Sequence, residues 1–216
     1  ADSLRANKGR NAGLFAVRRL LRRARTFGFY IATVDIRQNA LVHRRVIGEA
    51  LQEPEWLTAD DDERTRRLEQ ALERRESPLG ALSSEGRRTL AVFQAIAHCR
   101  RKYGRDAIGP YIVSMAHGSD DVLSVLLLAK WGHLGSKGDS VPLDVAPLFE
   151  TGEDVERAPR IMEKLLADAS YRDHLRARGD QQIVMLGYSD SYRDGGVAAA
   201  RWSLQKAQQA LVATMQ

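Results

Sequence analysis

Apolar residues recur at helical spacing early in the chain, at Leu14, Phe15, Val17, Leu20, Leu21 and Ala24. Arg18, Arg19, Arg22, Arg23 and Arg25 fill the opposite face, which predicts an amphipathic helix. After Gly28 the run Phe29-Tyr-Ile-Ala-Thr-Val-Asp-Ile36 is rich in β-branched and aromatic side chains and predicts a buried strand. Helical spacing returns over 40–53, and Pro54 ends it. Residues 60–76 predict a charged helix with few apolar positions. A turn at Ser77-Pro-Leu-Gly80 leads to a further helix over 84–102, with Leu90, Val92, Phe93, Ile96 and Ala97 as its core candidates. These last two helices read as a lateral hairpin.

Beyond Gly109-Pro110 the alternation becomes regular. Strands are predicted over 111–115, 141–149 and 182–186, each followed by a helix, over 120–131, 153–167 and 194–214. Four short apolar strands separated by helices imply parallel βαβ connections, in a buried sheet or a barrel. The expected fold is therefore helix-rich α/β, a partial (β/α)8 TIM-like barrel with about four parallel strands. Residues 54–108 are expected to form a helical insertion between the first two strands. The chain starts at Ala1 without a methionine and stops at Gln216 inside a helical run. The expectation is that residues 1–216 are a partial barrel domain of a longer chain.

Composition adds one peculiarity: arginine supplies 27 of the 33 basic residues, for a formal net charge of +5. An excess of that size permits nucleic-acid binding without requiring it. The arginines of 18–25 could contact nucleic-acid phosphates or an anionic membrane, but the helix lacks the interleaved exposed aromatics used for base stacking, which favours a solvated face. The lone Cys99 excludes an internal disulfide framework and reads as an inert thiol buried on an apolar helix. No apolar run reaches the roughly 18 residues that span a bilayer, and no signal peptide opens the chain. A cytoplasmic protein is expected.

In parallel α/β architectures ligands gather at the carboxyl ends of the strands. The four corners here are Asp35-Ile-Arg37-Gln-Asn39, Ser114-Met-Ala-His117, Leu148-Phe-Glu150-Thr151 and Gly187-Tyr-Ser-Asp190-Ser191. Glu150 and Asp190, with no cysteine or clustered histidine beside them, would make a hard oxygen site suited to Mg²⁺ or Mn²⁺. Arg37 across the opening would grip a phosphate or carboxylate bidentately. The same side chains also fit solvated or capping roles, and spacing does not choose between these readings. At His117-Gly-Ser119-Asp120 a helix cap by Ser119 or Asp120 is favoured over a metal cluster. Gly187 to Ser191 lacks the second glycine of a serine-hydrolase elbow, and Gly132 to Lys137 lacks phosphate-loop spacing, so the latter reads as a plain connection.

Four segments, in order, resemble the phosphoenolpyruvate carboxylase family: Phe27-Gly28 through Asp35-Ile-Arg-Gln38, Tyr111-Ile-Val-Ser-Met115 with Ser119-Asp-Asp-Val-Leu123, Val145-Ala-Pro-Leu-Phe-Glu-Thr151 and Val184-Met-Leu-Gly-Tyr-Ser-Asp-Ser191. The resemblance implies a lyase that joins phosphoenolpyruvate and bicarbonate into oxaloacetate and phosphate with Mg²⁺ or Mn²⁺. It implies a barrel enzyme, usually tetrameric, in which phosphate passes first to bicarbonate and the resulting CO₂ is attacked by the pyruvate enolate. By match to the family's motifs, Glu150 and Asp190 would hold the metal, Arg37 would steady the phosphoryl group, and Leu148 and Met185 would line the CO₂ pocket. Arg193 stands where the family often carries a lysine that reaches the active site, which keeps the charge and changes its shape. The resemblance places a general-base histidine upstream of Ala1 and a glycine- and arginine-rich loop downstream of Gln216. These 216 residues alone are therefore expected not to carboxylate phosphoenolpyruvate. The alternatives are another divalent-metal barrel acting on phosphoenolpyruvate or pyruvate, and a basic nucleic-acid-binding helical module; the leading reading has no nucleic-acid or membrane partner.

Overall fold

The computed structural model describes every residue except Phe29, 136–139, 189, 190 and 216, and except the side chains of 191–195. In chain order its longer elements are α1 (Asp2–Ala6), α2 (Leu14–Phe27), β1 (Val34–Asn39), α3 (Ala40–Leu51), α4 (Asp61–Glu73), α5 (Ser84–Tyr103) and β2 (Ile108–Ser114). They continue with α6 (Ser119–Trp131), β3 (Val145–Phe149), α7 (Gly152–Ala167), α8 (Ala169–Ala177), β4 (Met185–Leu186) and α9 (Ser191–Thr214), the last broken by non-helical backbone at Gly196. The strands form one sheet in the order β1-β2-β3-β4, with every pair parallel. Parallel neighbours need a crossover between them, and the helices supply it. This is the helix-rich α/β fold expected from the sequence.

Side-chain alternation gives the sheet two different faces. Tyr111, Val113, Val145 and Phe149 enter the main core, where they meet α3, α6 and α7 residues such as Ile47, Leu123, Leu127, Val155 and Met162. Helix α6 is buried almost all round, which suits a helix held between the sheet and the helices outside it. Ile112, Ala146 and Leu148, with Met185 packed against them, form a separate small cluster on the other face. The register places Arg37 beside Ile112 and Leu148 beside Met185. Residues paired in register share a face, so Arg37 belongs with this second cluster.

Several sequence boundaries shift for identifiable reasons. The first strand starts at Val34 rather than Phe29, and Ile31 is 82% exposed. It is also not a buried strand: among the described residues β1 pairs only with β2, and Val34 is exposed as well. The third strand starts at Val145 rather than Val141. There Pro142 cannot donate to a ladder, and the Leu143 amide turns back to the Val141 carbonyl at 2.9 Å, although both side chains stay buried. The fourth strand shrinks from 182–186 to two residues. Pro147 lies opposite Val113 in the middle of β3 and has no N–H to offer, while the neighbouring Val145 carbonyl accepts from the Gln182 side-chain amide at 3.0 Å instead of from a strand backbone. Helix α8 was not foreseen. Cys99 is half-buried rather than sealed in the core. Helix α2 forms as expected, yet only Leu14 of its apolar stripe is buried; Phe15, Leu20, Leu21 and Phe27 face outward.

Candidate functional site

Glu150 is the first residue after β3, and its carboxylate is held from two sides. Arg37 in β1 donates from Nη2 to Oε1 at 2.8 Å, and the Met115 backbone N–H at the end of β2 donates to Oε2 at 2.9 Å. Three strand ends thus converge on one carboxylate, whose side chain is 11% exposed, while the Arg37 side chain remains 56% exposed. An open guanidinium beside a sheltered carboxylate leaves Arg37 donors facing outward for an anion. Met115 takes a left-handed backbone conformation (φ 54°) as it delivers its N–H. Gly187 sits behind Glu150, donating its N–H to the Phe149 carbonyl at 2.7 Å; a Cβ there would lie 3.0 Å from Glu150 Cα. The glycine of the fourth strand-end corner is thus required for close backbone approach.

Beside the charged pair lies an apolar floor. Leu148 is buried and Met185 half-buried, and they are register partners on adjacent strands. With Ile112 and Ala146 they line the sheet face that carries Arg37. Four sequence candidates, Arg37, Leu148, Glu150 and Met185, therefore gather at one end of one face. Asp190 lies outside the described residues, as does the Arg193 side chain. Among the described residues no group of three or more His, Cys, Asp or Glu side chains is placed to hold a metal ion. The donor available is one sheltered carboxylate, to which Asp190 would add a second in sequence. A sheltered strand-end carboxylate is a hard oxygen donor of the kind that suits Mg²⁺ or Mn²⁺.

A second polar network surrounds the loop that delivers Met115. His117 Nδ1 is 2.6 Å from Asp154 Oδ1 on α7, and Asp154 Oδ2 accepts from the Thr151 hydroxyl at 2.6 Å. Thr151 in turn accepts from the Asp154 N–H, closing a capping box directly after Glu150. Asp121 Oδ2 takes the His117 and Gly118 N–H groups at 2.8 and 3.3 Å. Arg44 grips Asp121 bidentately at 2.9 and 2.8 Å, and buried Arg64 reaches Asp120 at 2.6 Å. The helix cap expected from Ser119 or Asp120 is corrected here: α6 starts at Ser119 with Gly118 as cap, and Asp121 serves the loop amides. Burial, reinforced by the Asp121 charge, pushes the Asp120 carboxyl up to about 6, against the pull of Arg44 and Arg64. The sequence reading missed His117, Asp121 and Asp154 as a set. The Thr-x-x-Asp spacing after Glu150 was the available signal.

An arginine and a carboxylate meeting at the carboxyl edge of a parallel sheet, above an apolar floor, define the ligand-site arrangement of α/β and barrel enzymes. The chain belongs to the phosphoenolpyruvate carboxylase family, whose model, described as "Phosphoenolpyruvate carboxylase", matches residues 1–216. It is 51% identical over 208 residues to a phosphoenolpyruvate carboxylase of Xanthomonas euvesicatoria pv. vesicatoria, covering 96% of this chain and 23% of that protein. It is 40% identical over 209 residues to a phosphoenolpyruvate carboxylase of Rhodopseudomonas palustris (92% of this chain, 22% of that protein). To one of Mycobacterium avium it is 38% identical over 198 residues (87% and 21%). The chain thus spans less than a quarter of the length of these curated relatives.

Proposed function

We propose that this chain supplies the metal- and phosphoryl-binding part of a phosphoenolpyruvate carboxylase, which converts phosphoenolpyruvate and bicarbonate into oxaloacetate and phosphate. The observation that carries the reading is the contact between Arg37 and Glu150 across three strands, on the face floored by Leu148 and Met185. Membership of the family supports it. We further propose that the parent is a homotetramer in the cytoplasm and that residues 54–108 are an insertion in its barrel; among the described residues no helix is long and apolar enough to cross a membrane.

Glu150 and Asp190 would hold Mg²⁺ or Mn²⁺. When bound, the ion supplies positive charge against the oxygen of the developing enolate. Arg37 presents a planar fork of N–H donors to the phosphoryl group as it leaves phosphoenolpyruvate for a bicarbonate oxygen. Positive charge there stabilises the transferring group more than the ground state, which is what lowers a barrier. The carboxyphosphate formed splits into CO₂ and phosphate, and the enolate carbon attacks CO₂ to form the new carbon-carbon bond. Leu148 and Met185 keep water from the enolate, which would otherwise take a proton and end as pyruvate. Arg193 would place a second guanidinium at the β4 end of the site.

Replacing Glu150 by Ala in the intact protein should abolish metal-dependent oxaloacetate formation. Near-normal turnover, followed by coupled reduction of the oxaloacetate, would sink the assignment.

A further inference from the structure

Glu150 does not hold its own orientation: part of its support is the Met115 N–H, and that amide belongs to a loop anchored elsewhere. Met115 sits at φ 54°, a conformation a side-chain-bearing residue keeps only where its surroundings hold it. Two anchors are present. Asp121, buried and clamped by Arg44, takes the loop amides of His117 and Gly118. The His117 ring spans the gap to α7 and meets Asp154, whose side chain is 4% exposed.

The connection is closed on itself. From Glu150 the path runs through the Met115 amide to His117, across to Asp154, and through the Thr151 hydroxyl back to the residue next to Glu150. Of its links, the His117–Asp154 contact alone joins the β2 loop to the α7 cap through two side chains. We infer that His117 is a positioning residue for the metal-binding carboxylate. By pinning the β2 loop to Asp154 it fixes the Met115 N–H against Glu150 Oε2, and so sets the orientation of the carboxylate that would hold the ion. The inference rests on the proposed role of Glu150 and adds a residue that the family motifs did not single out. His117 touches no reacting atom, so its effect is one of aim. Residues that orient metal ligands from outside the coordination shell commonly alter affinity about tenfold to hundredfold when removed.

The test uses the intact protein and Mn²⁺ as the probe, with bound ion measured by loss of the free-ion paramagnetic resonance signal, independently of turnover. His117→Ala should weaken Mn²⁺ binding about tenfold or more, while leaving the thermal midpoint near that of the parent. His117→Asn places an amide N–H where Nδ1 now lies, and should recover binding to within about threefold, a rescue a merely space-filling role would not give. Glu150→Ala serves as the reference for loss of the ligand itself. Unchanged Mn²⁺ binding in His117→Ala, with binding lost in Glu150→Ala, would overturn the positioning role alone. Failure of the Asn variant to do better than Ala would overturn it too. Unchanged binding in Glu150→Ala would overturn both the metal assignment and the inference built on it.

Discussion

Two buried histidines outside the site give the protein a pH response of defined sign. His43 is fully buried against the Tyr111 hydroxyl at 2.9 Å, and burial lowers its pKa to about 3. His174 is lowered to about 4, first by burial and then by the charge of Arg178. Each stays neutral when folded and takes a proton on unfolding, so its contribution is present above the ordinary value of 6.5 and is lost as pH falls from there. Asp120 acts in the opposite sense. Raised to about 6, it is protonated in the folded state over a window where the unfolded chain is ionised, and adds stability as pH falls toward 4. Two histidines outweigh one aspartate, so urea midpoints should fall between pH 6.5 and 4.5, each histidine contributing about 1.4 kcal/mol per pH unit. A double His43→Gln, His174→Gln variant should lose that acid limb. An unaltered pH slope would mean that neither ring is buried neutral. At this scale Arg37 and Glu150 were legible in the sequence because their chemistry lies in their side chains. The Met115 amide was not, because a backbone donor carries no residue identity.

Among the elements, α4 is tied to α6 by charge as well as by packing. Arg64 is buried from α4 against Asp120, and Arg44 on α3 binds Asp121 one residue further along α6. Removing one partner of a buried ion pair leaves the other charged and dehydrated, at a cost of about 3–5 kcal/mol. Arg64→Ala should lower the unfolding free energy by about that amount, and adding Asp120→Asn should restore part of it. Loss of under about 0.5 kcal/mol in the single variant, measured by chemical denaturation, would show the pair to be solvated. The parallel pairing and most helix limits followed from periodicity and from Pro54, since those signals are local. The exposure of β1, read as a buried strand, did not, because hydrophobicity records what a strand prefers to touch and not how many neighbours it has. The two-residue β4 escaped for a related reason: its length is set by Pro147 on another strand.

At the scale of the whole molecule, α2 turns much of its apolar stripe outward. Its Phe15 is 76% and its Leu20 66% exposed, with five arginines on the same helix. Contiguous exposed apolar surface favours association. The 216-residue chain should therefore associate with rising concentration in sedimentation velocity, and a Phe15→Glu, Leu20→Glu double variant should remain monomeric with an unchanged denaturation midpoint. A monomer at every concentration in the unsubstituted chain would refute this. The helical spacing of α2 was legible from the sequence, but what covers its stripe depends on surfaces beyond the helix itself. Pro147 has a further consequence, for fidelity during folding. If β4 slid two residues along β3, Met185 would lie opposite Ala146, and the ladder would ask Pro147 for a hydrogen it does not possess. In the native register the same missing hydrogen falls outside the two-residue ladder, whereas this slip would put the gap inside it. A single imino acid thus disfavours this slip, and helps the methionine and leucine of the apolar floor arrive side by side.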